Sequence, residues 1–308
     1  MNNLINGSAK DFIKRQIKSK LPPNLQSLRL KIRLTNQADL YRERARDKWL
    51  RALKFILSEL SGNDIYFRSP DGISYISMPN NYSSFVTCVV GARDPEIWRF
   101  IRKTLKPGSV FVDAGANIGT YTLPASKLVG AGGRVLSFEA HPKTFAYLKR
   151  NLENNRVANA TALNLALGDK RGFISIKFDS NNPGETHVSD EKEGTVGVEL
   201  TTVDFMLGSL GIDEIHYLKI DVEGFELPVI RGAKNTLFNS RNIIIQTELE
   251  EKHAARYGHR VSEVCDLLQS LGFVSYKIDN NGDAQRLETN VSGDVIWMRS
   301  SVSTAQFC

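Results

Sequence analysis

Cysteine is scarce in this chain, with only Cys88, Cys265 and Cys308 among 308 residues. Three scattered thiols cannot form a disulfide framework or a C-x-x-C metal knuckle, which points to a reducing compartment. Long hydrophobic runs are missing as well. No stretch approaches the roughly 20 apolar residues that cross a bilayer, and the opening "MNNLINGSAKDF" lacks the apolar core of a secretory signal. A cytoplasmic protein is expected. What remains is an ordinary globular composition, 41% hydrophobic and 24% charged, long enough for one large domain with an appendage.

The formal net charge is +6, but it is unevenly spread. Residues 1–56 hold 14 Lys/Arg against 4 Asp/Glu, leaving 26 against 30 for the rest of the chain. In "KDFIKRQIKSK" and "YRERARDKWLRALKFI" the basic residues alternate with Phe12, Ile13, Ile17, Trp49, Leu50, Leu53 and Ile56 in an amphipathic helical pattern. Such an arm suits an anionic surface, either lipid headgroups or a polyanion. It equally suits a solvated helical arm that packs on the body or mediates homo-oligomerisation. "KLPPNLQS" interrupts it, because proline has no amide hydrogen to donate.

Three segments follow from the punctuation: a basic helical arm over 1–60, a small hairpin or sheet over 61–93, and the main domain over 94–308. In the second, "SGND", "SPDG" and "MPNN" separate "IYFRS", "GISYISM" and "FVTCVV", all of β composition. The third opens with helix grammar in "RDPEIWRFIRKTLKPG": Asp94 as cap, Pro95 at the first helical position, and Ile97, Trp98, Ile101 and Leu105 on one face. From residue 109 strands ("SVFVDAG", "RVLSFEA", "ATALNLAL", "IHYLKIDV", "NIIIQTEL") alternate with helices, without internal repeats. That alternation predicts an α/β, doubly wound parallel sheet covered on both faces. The closing runs "VSYKI" and "DVIWMRS" have no helix between them, which predicts an antiparallel final pair at the sheet edge. The polar stretch "KFDSNNPGETHVSDEKEGTVGVEL" reads as a mobile loop over an acceptor, with Thr186, His187 and Ser189 on it, or as disordered filler.

In such sheets ligands sit beyond the carboxyl ends of the strands, at the first strand-to-helix turn. Here that turn is "FVDAGANIGTYT", with Gly115 and Gly119 but Asn117 where a dinucleotide fold wants its middle glycine. Asp113 precedes the turn. A carboxylate there repels phosphate and attracts a sulfonium, so the ligand suggested is S-adenosylmethionine. Glu139 ends the next strand, about 20 residues on, placed to accept hydrogen bonds from ribose hydroxyls. An NAD protein would carry an acid there too, although the glycine pattern disfavours that reading.

"FVDAGANIGTYT", "VLSFEAHP", "LKIDVEGFELPVIRGA" and "TELEEKH", in this order, resemble the FkbM-type family of S-adenosylmethionine-dependent O-methyltransferases over about residues 90–300. The resemblance implies the class I methyltransferase (Rossmann-like) fold with a seven-stranded sheet, and methylation of hydroxyls on sugars, glycans or natural products. The arm lies outside it, and Ala140-His141 departs from a proline-led segment common in the family. For the cofactor we expect Asp113, Gly115, Asn117 and Gly119 around the methionine portion, Glu139 on the ribose, and Leu167 and Asp169 around adenine. Asp169 also fits a plain turn in "GDKRG".

Methyl transfer from a sulfonium needs a positioned hydroxyl and an acceptor for its proton. Asp221 and Glu223 follow the fourth strand; Glu248 ends the fifth, with His253 beyond it. His253 is the natural base, or a surface histidine in a charged run. Lys219 either pairs with a carboxylate or contacts the acceptor. Asp221 and Glu248 offer hard oxygens to Mg²⁺, but without fixed local spacing they make a weak metal signal. A nucleic-acid 2′-O-methyltransferase would account for the basic arm, yet the acidic body lacks an aromatic-interleaved basic patch. A noncatalytic S-adenosylmethionine-binding scaffold on an anionic surface is the remaining alternative.

Overall fold

The computed structural model describes residues 23–36, 44–179, 182–188, 195–288 and 291–299. "KDFIKRQIKSK" and Ser189 lie outside them, and for Thr186 and His187 only the backbone is described. The elements run α1 (Pro23–Thr35), α2 (Ala45–Leu60), β1 (Ile65–Arg68), β2 (Ser74–Ser77), α3 (Tyr82–Val90), α4 (Pro95–Thr104), β3 (Val110–Ala114), α5 (Thr122–Val129), β4 (Arg134–Phe138), α6 (Pro142–Asn154), β5 (Ala160–Leu163) and β6 (Ala166–Leu167). The second half adds β7 (Gly172–Asp179), β8 (Asn182–Val188), β9 (Val196–Thr201), α7 (Val203–Ser209), β10 (Tyr217–Ile220), α8 (Glu226–Arg231), α9 (Lys234–Asn239), β11 (Ile244–Leu249), α10 (Glu251–Ala254), α11 (Val261–Ser270), β12 (Phe273–Ile278), β13 (Ala284–Arg286) and β14 (Gly293–Arg299).

The main sheet has eight strands in the order β13-β12-β14-β11-β10-β3-β4-β5, not seven. The extra member is β13, a three-residue edge strand that pairs with β12. From β5 to β11 neighbours are parallel; β14 then inserts antiparallel between β11 and β12. Each strand contributes alternate residues to two cores. Val112, Leu218 and Ile245 face α8, α9 and α11. Phe111, Tyr217 and Ile244 face α4 and α5, and Phe111 stacks on Tyr217 at 5.0 Å. The chain winds outward from β3 to β5, returns, and winds the other way from β10, so the order reverses between β3 and β10. The crevice belongs there.

Four local expectations change. "FVTCVV" is not a strand: it lies in α3, capped by Asn81 Oδ1 accepting from the Ser84 amide at 2.9 Å and closed by Gly91 at φ +92°. Tertiary burial overrides its β-branched composition, for Phe85 and Val89 are wholly buried against Phe55 of α2 and Ile65 of β1. "ATALNLAL" divides into β5 of the main sheet and β6 of a second one. The described residues of the polar stretch after it pair in that second sheet, of order β6-β9-β7-β8, where a mobile loop or filler is expected. Its inward residues Ile176, Val198 and Leu200 form a small apolar cluster with Ala166, flanked by Phe225. Asp94 precedes α4 without capping it and instead accepts from the Tyr121 hydroxyl at 3.3 Å.

Candidate active site

A cavity of about 270 Å³ opens at the carboxyl ends of β3, β4 and β10. Its floor is the turn after β3. Gly115 has φ +80°, and a Cβ there would lie 1.9 Å from the Asp221 carbonyl oxygen. Only glycine permits that approach. Gly119 has φ +95°, and its Cβ would meet Leu148 at 2.9 Å. Asn117 adopts φ +52°, its Oδ1 accepting from the Ile118 amide at 2.8 Å and from Asn81 Nδ2 at 3.0 Å. The amides of Gly115 and Ala116 donate to Phe138 O, that of Asn117 to Glu139 Oε2, and that of Gly119 to Ala116 O. All five amides from 115 to 119 are thus committed within the protein, leaving none to bind a diphosphate as a dinucleotide turn does.

Asp113 does not line this cavity, contrary to its expected place beside the ligand. Strand parity turns it with Phe111 toward α5, where Thr122 Oγ1 donates to it at 2.7 Å and Lys219 Nζ lies at 3.3 Å. Glu139 does line it. Its two oxygens accept from the amides of His141 and Asn117 at 2.9 and 2.8 Å. Burial pushes its carboxyl up to about 7 even so. Beside it Phe138, Ala140, Leu165, Ala166 and Leu167 form an apolar wall. Asp169 stands outside, exposed, in the turn that follows β6.

The other end of the cavity is charged. Parallel register sets Lys219 opposite Asp113 and brings Asp221 to the switch point. The Lys219 ammonium is buried between Asp113 and Asp221, at 3.3 and 3.4 Å, and donates to Gly115 O at 3.3 Å. Burial disfavours its charge, but the two carboxylates outweigh this and raise its pKa. Asp221 is pushed up by burial and down further by Lys219 and Arg93, ending at about 2. Glu248 goes the other way, up to about 10, through burial and the neighbouring Asp221 charge. Burial and the Asp221 charge thus disfavour the ionised form of Glu248, while Lys219 and Arg93 favour that of Asp221. Arg93 bridges them, Nη1 to Asp221 at 3.4 Å and Nη2 to Glu248.

Arg93 was not legible in the sequence, since nothing in "GARDP" signals a residue that reaches the ends of β10 and β11. Its guanidinium sits where the expected alternative would have put a divalent cation. Among the described residues no group of three or more His, Cys, Asp or Glu is arranged to hold a metal. His253 and Glu223 both line the cavity, with Nδ1 at 3.1 Å from Oε2. Glu223 adopts φ +53° and Gly224 φ +101°, so the loop folds back onto α10; a Cβ on Gly224 would lie 2.4 Å from the His253 carbonyl. Glu226, another residue the sequence did not single out, pins this loop by accepting from the Gly224 amide at 3.0 Å.

A doubly wound sheet with an antiparallel strand inserted at one side, a glycine turn without free amides and an acid closing the second strand together define a class I, Rossmann-like methyltransferase. The family model for the methyltransferase FkbM domain matches residues 113–275, and the chain belongs to that family. The hexuronic acid methyltransferase AglP of Haloferax volcanii is 26% identical over 50% of this chain and 62% of its own length. The 2-O-methyltransferase NoeI of Sinorhizobium fredii is 25% identical over 55% of this chain and 75% of its own. A crystal structure of methyltransferase FkbM from Methylobacillus flagellatus superposes with a TM-score of 0.41, at 15% identity over 70% of this chain and 53% of that one.

Proposed function

We propose that this protein transfers the methyl group of S-adenosylmethionine to a hydroxyl of a sugar, glycan or natural product. The observation that carries the reading is that one cavity holds two chemically distinct halves on either side of Gly115: Glu139 with an apolar wall, and the Asp221, Glu248 and His253 group. The names of relatives that act on a hexuronic acid and at a 2-O position support the acceptor class.

S-adenosylmethionine, bound in the first half, supplies an already activated methyl group. Glu139 accepts from the ribose hydroxyls, Phe138, Leu165 and Leu167 flank the base, and Gly115 and Asn117 shape the methionine end, while Gly119 lies behind the turn against Leu148. Asp221, ionised across the neutral range, provides the negative charge facing the sulfonium that Asp113 cannot. Its partner Glu248, which burial and the Asp221 charge push toward the protonated form, accepts from Arg93 Nη2. His253 is the base: Glu223 engages Nδ1, and Nε2 takes the acceptor proton.

The test is incubation with methyl-labelled S-adenosylmethionine and a panel of uronic acids, oligosaccharides and hydroxylated macrolides. Label in an ether-linked methyl group is the expected result. Bound donor with no transfer to any member of the panel would refute the hydroxyl reading.

A further inference from the structure

We propose that the outer face of α2 docks on an anionic lipid surface. This helix is apolar on two sides. Lys48, Ala52 and Phe55 turn inward, and Phe55 packs edge-on against Phe85 of α3 at 5.4 Å. On the opposite side Trp49, Leu50, Leu53, Leu57 and Leu60 are 40% to 79% exposed and recur every three or four residues, one stripe along the helix. Contiguous outward leucines of this extent are rare on a surface that stays in water.

Charge identifies the occupant. Arg46 and Lys54 are exposed on α2 with Asp47 as the acid beside them, and neighbouring α1 exposes Arg29 and Arg33 next to Leu28 and Ile32. Leucine and tryptophan set among lysine and arginine is the chemistry of a helix lying in a headgroup layer. A polyanion alone would leave the leucines in water. The 14-to-4 excess of basic over acidic residues in 1–56, against an acidic remainder, turns this end of the molecule toward negative lipid and the body away from it. α3 links the surface to the cleft, since Phe85 meets α2 while Tyr82 and Ser83 line the cavity.

The full chain is mixed with phosphatidylcholine vesicles containing roughly one third phosphatidylglycerol, and with pure phosphatidylcholine, at rising salt. Trp98 and Trp297 are buried and Trp49 is the exposed one of the three tryptophans, so a blue shift in emission reports its insertion. Expected are binding to the anionic vesicles only, a blue shift, weakening with salt, at least about tenfold loss in Leu53→Ser/Leu57→Ser, and about fivefold loss per charge in Arg46→Gln/Lys54→Gln. Both variants change exposed side chains, and retained S-adenosylhomocysteine binding confirms their folding. Failure of the full chain to bind, equal binding to pure phosphatidylcholine, or unchanged binding by Leu53→Ser/Leu57→Ser overturns the proposal. Binding gained only on deleting residues 2–22 assigns the stripe to that segment instead, and a dimer dissolved by Leu53→Ser/Leu57→Ser assigns it to a second copy; either overturns the lipid assignment.

Discussion

Replacing Arg93 by methionine keeps the length of the side chain and removes the charge that bridges Asp221 and Glu248. Breaking a fully buried ion pair costs roughly 3–5 kcal/mol. The Arg93 side chain is 30% exposed, so solvent screening lowers the expected loss to about 2 kcal/mol, a fall of about 4–6 °C in melting temperature. Its pH dependence has a definite sign. Asp221 is depressed to about 2 from an ordinary value of 3.8. The stabilisation it draws from Lys219 and Arg93 is complete above the unfolded value and disappears as the pH falls toward about 2. The deficit of the variant is therefore largest at pH 5 and above, and shrinks between pH 4 and pH 2. Thermal melts of both proteins across that range measure it. A variant as stable as the parent at pH 7, or one whose deficit does not change with pH, would show that Arg93 does not hold the two carboxyls as described.

Gly115→Ala must displace the Asp221 carbonyl, so it is expected to cost more than about 3 kcal/mol in denaturant unfolding and to abolish donor binding by calorimetry. In the proposed donor site Glu139 accepts more strongly from the ribose as a carboxylate than as an acid, and since burial pushes it up to about 7, S-adenosylhomocysteine affinity is expected to decline as the pH falls below 7; a pH-independent affinity would contradict the assignment. Glu139→Gln should bind about 10- to 100-fold more weakly at pH 8, the worth of a hydrogen bond to a charged group. His253→Gln should retain donor affinity and lose about 100- to 10,000-fold in transfer rate, whereas Glu223→Gln, which removes the carboxylate 3.1 Å from His253 Nδ1, should lower the transfer rate with donor affinity unchanged.

What the sequence disclosed was whatever the backbone demands of it. Gly115 and Gly119 stand where a side chain would strike other atoms and where φ is positive, and a glycine pattern reports such needs directly. Strand ends and acids spaced along them likewise placed Glu139, Asp221 and Glu248 at one crevice. Side-chain direction was not legible. Asp113 lies beside the turn in sequence yet points through the sheet to Thr122, a matter of parity that one residue of register decides. Arg93 was invisible because it acts across more than a hundred residues of chain, and α3 was misread because local β propensity is weaker than burial on both sides. The second sheet hid in polar, glycine-bearing sequence because its exposed strands need only a few inward apolar residues.

The turn over residues 115–119, whose amides are all occupied internally, bears on how the cleft would tell its donor from ATP and the nicotinamide dinucleotides. In the proposed binding mode those molecules, which share the donor's adenosine half, would reach Glu139 and the apolar wall, but their phosphates would meet backbone amides already occupied. On the proposed donor site, the floor of the cleft would itself favour the sulfonium donor over abundant nucleotides.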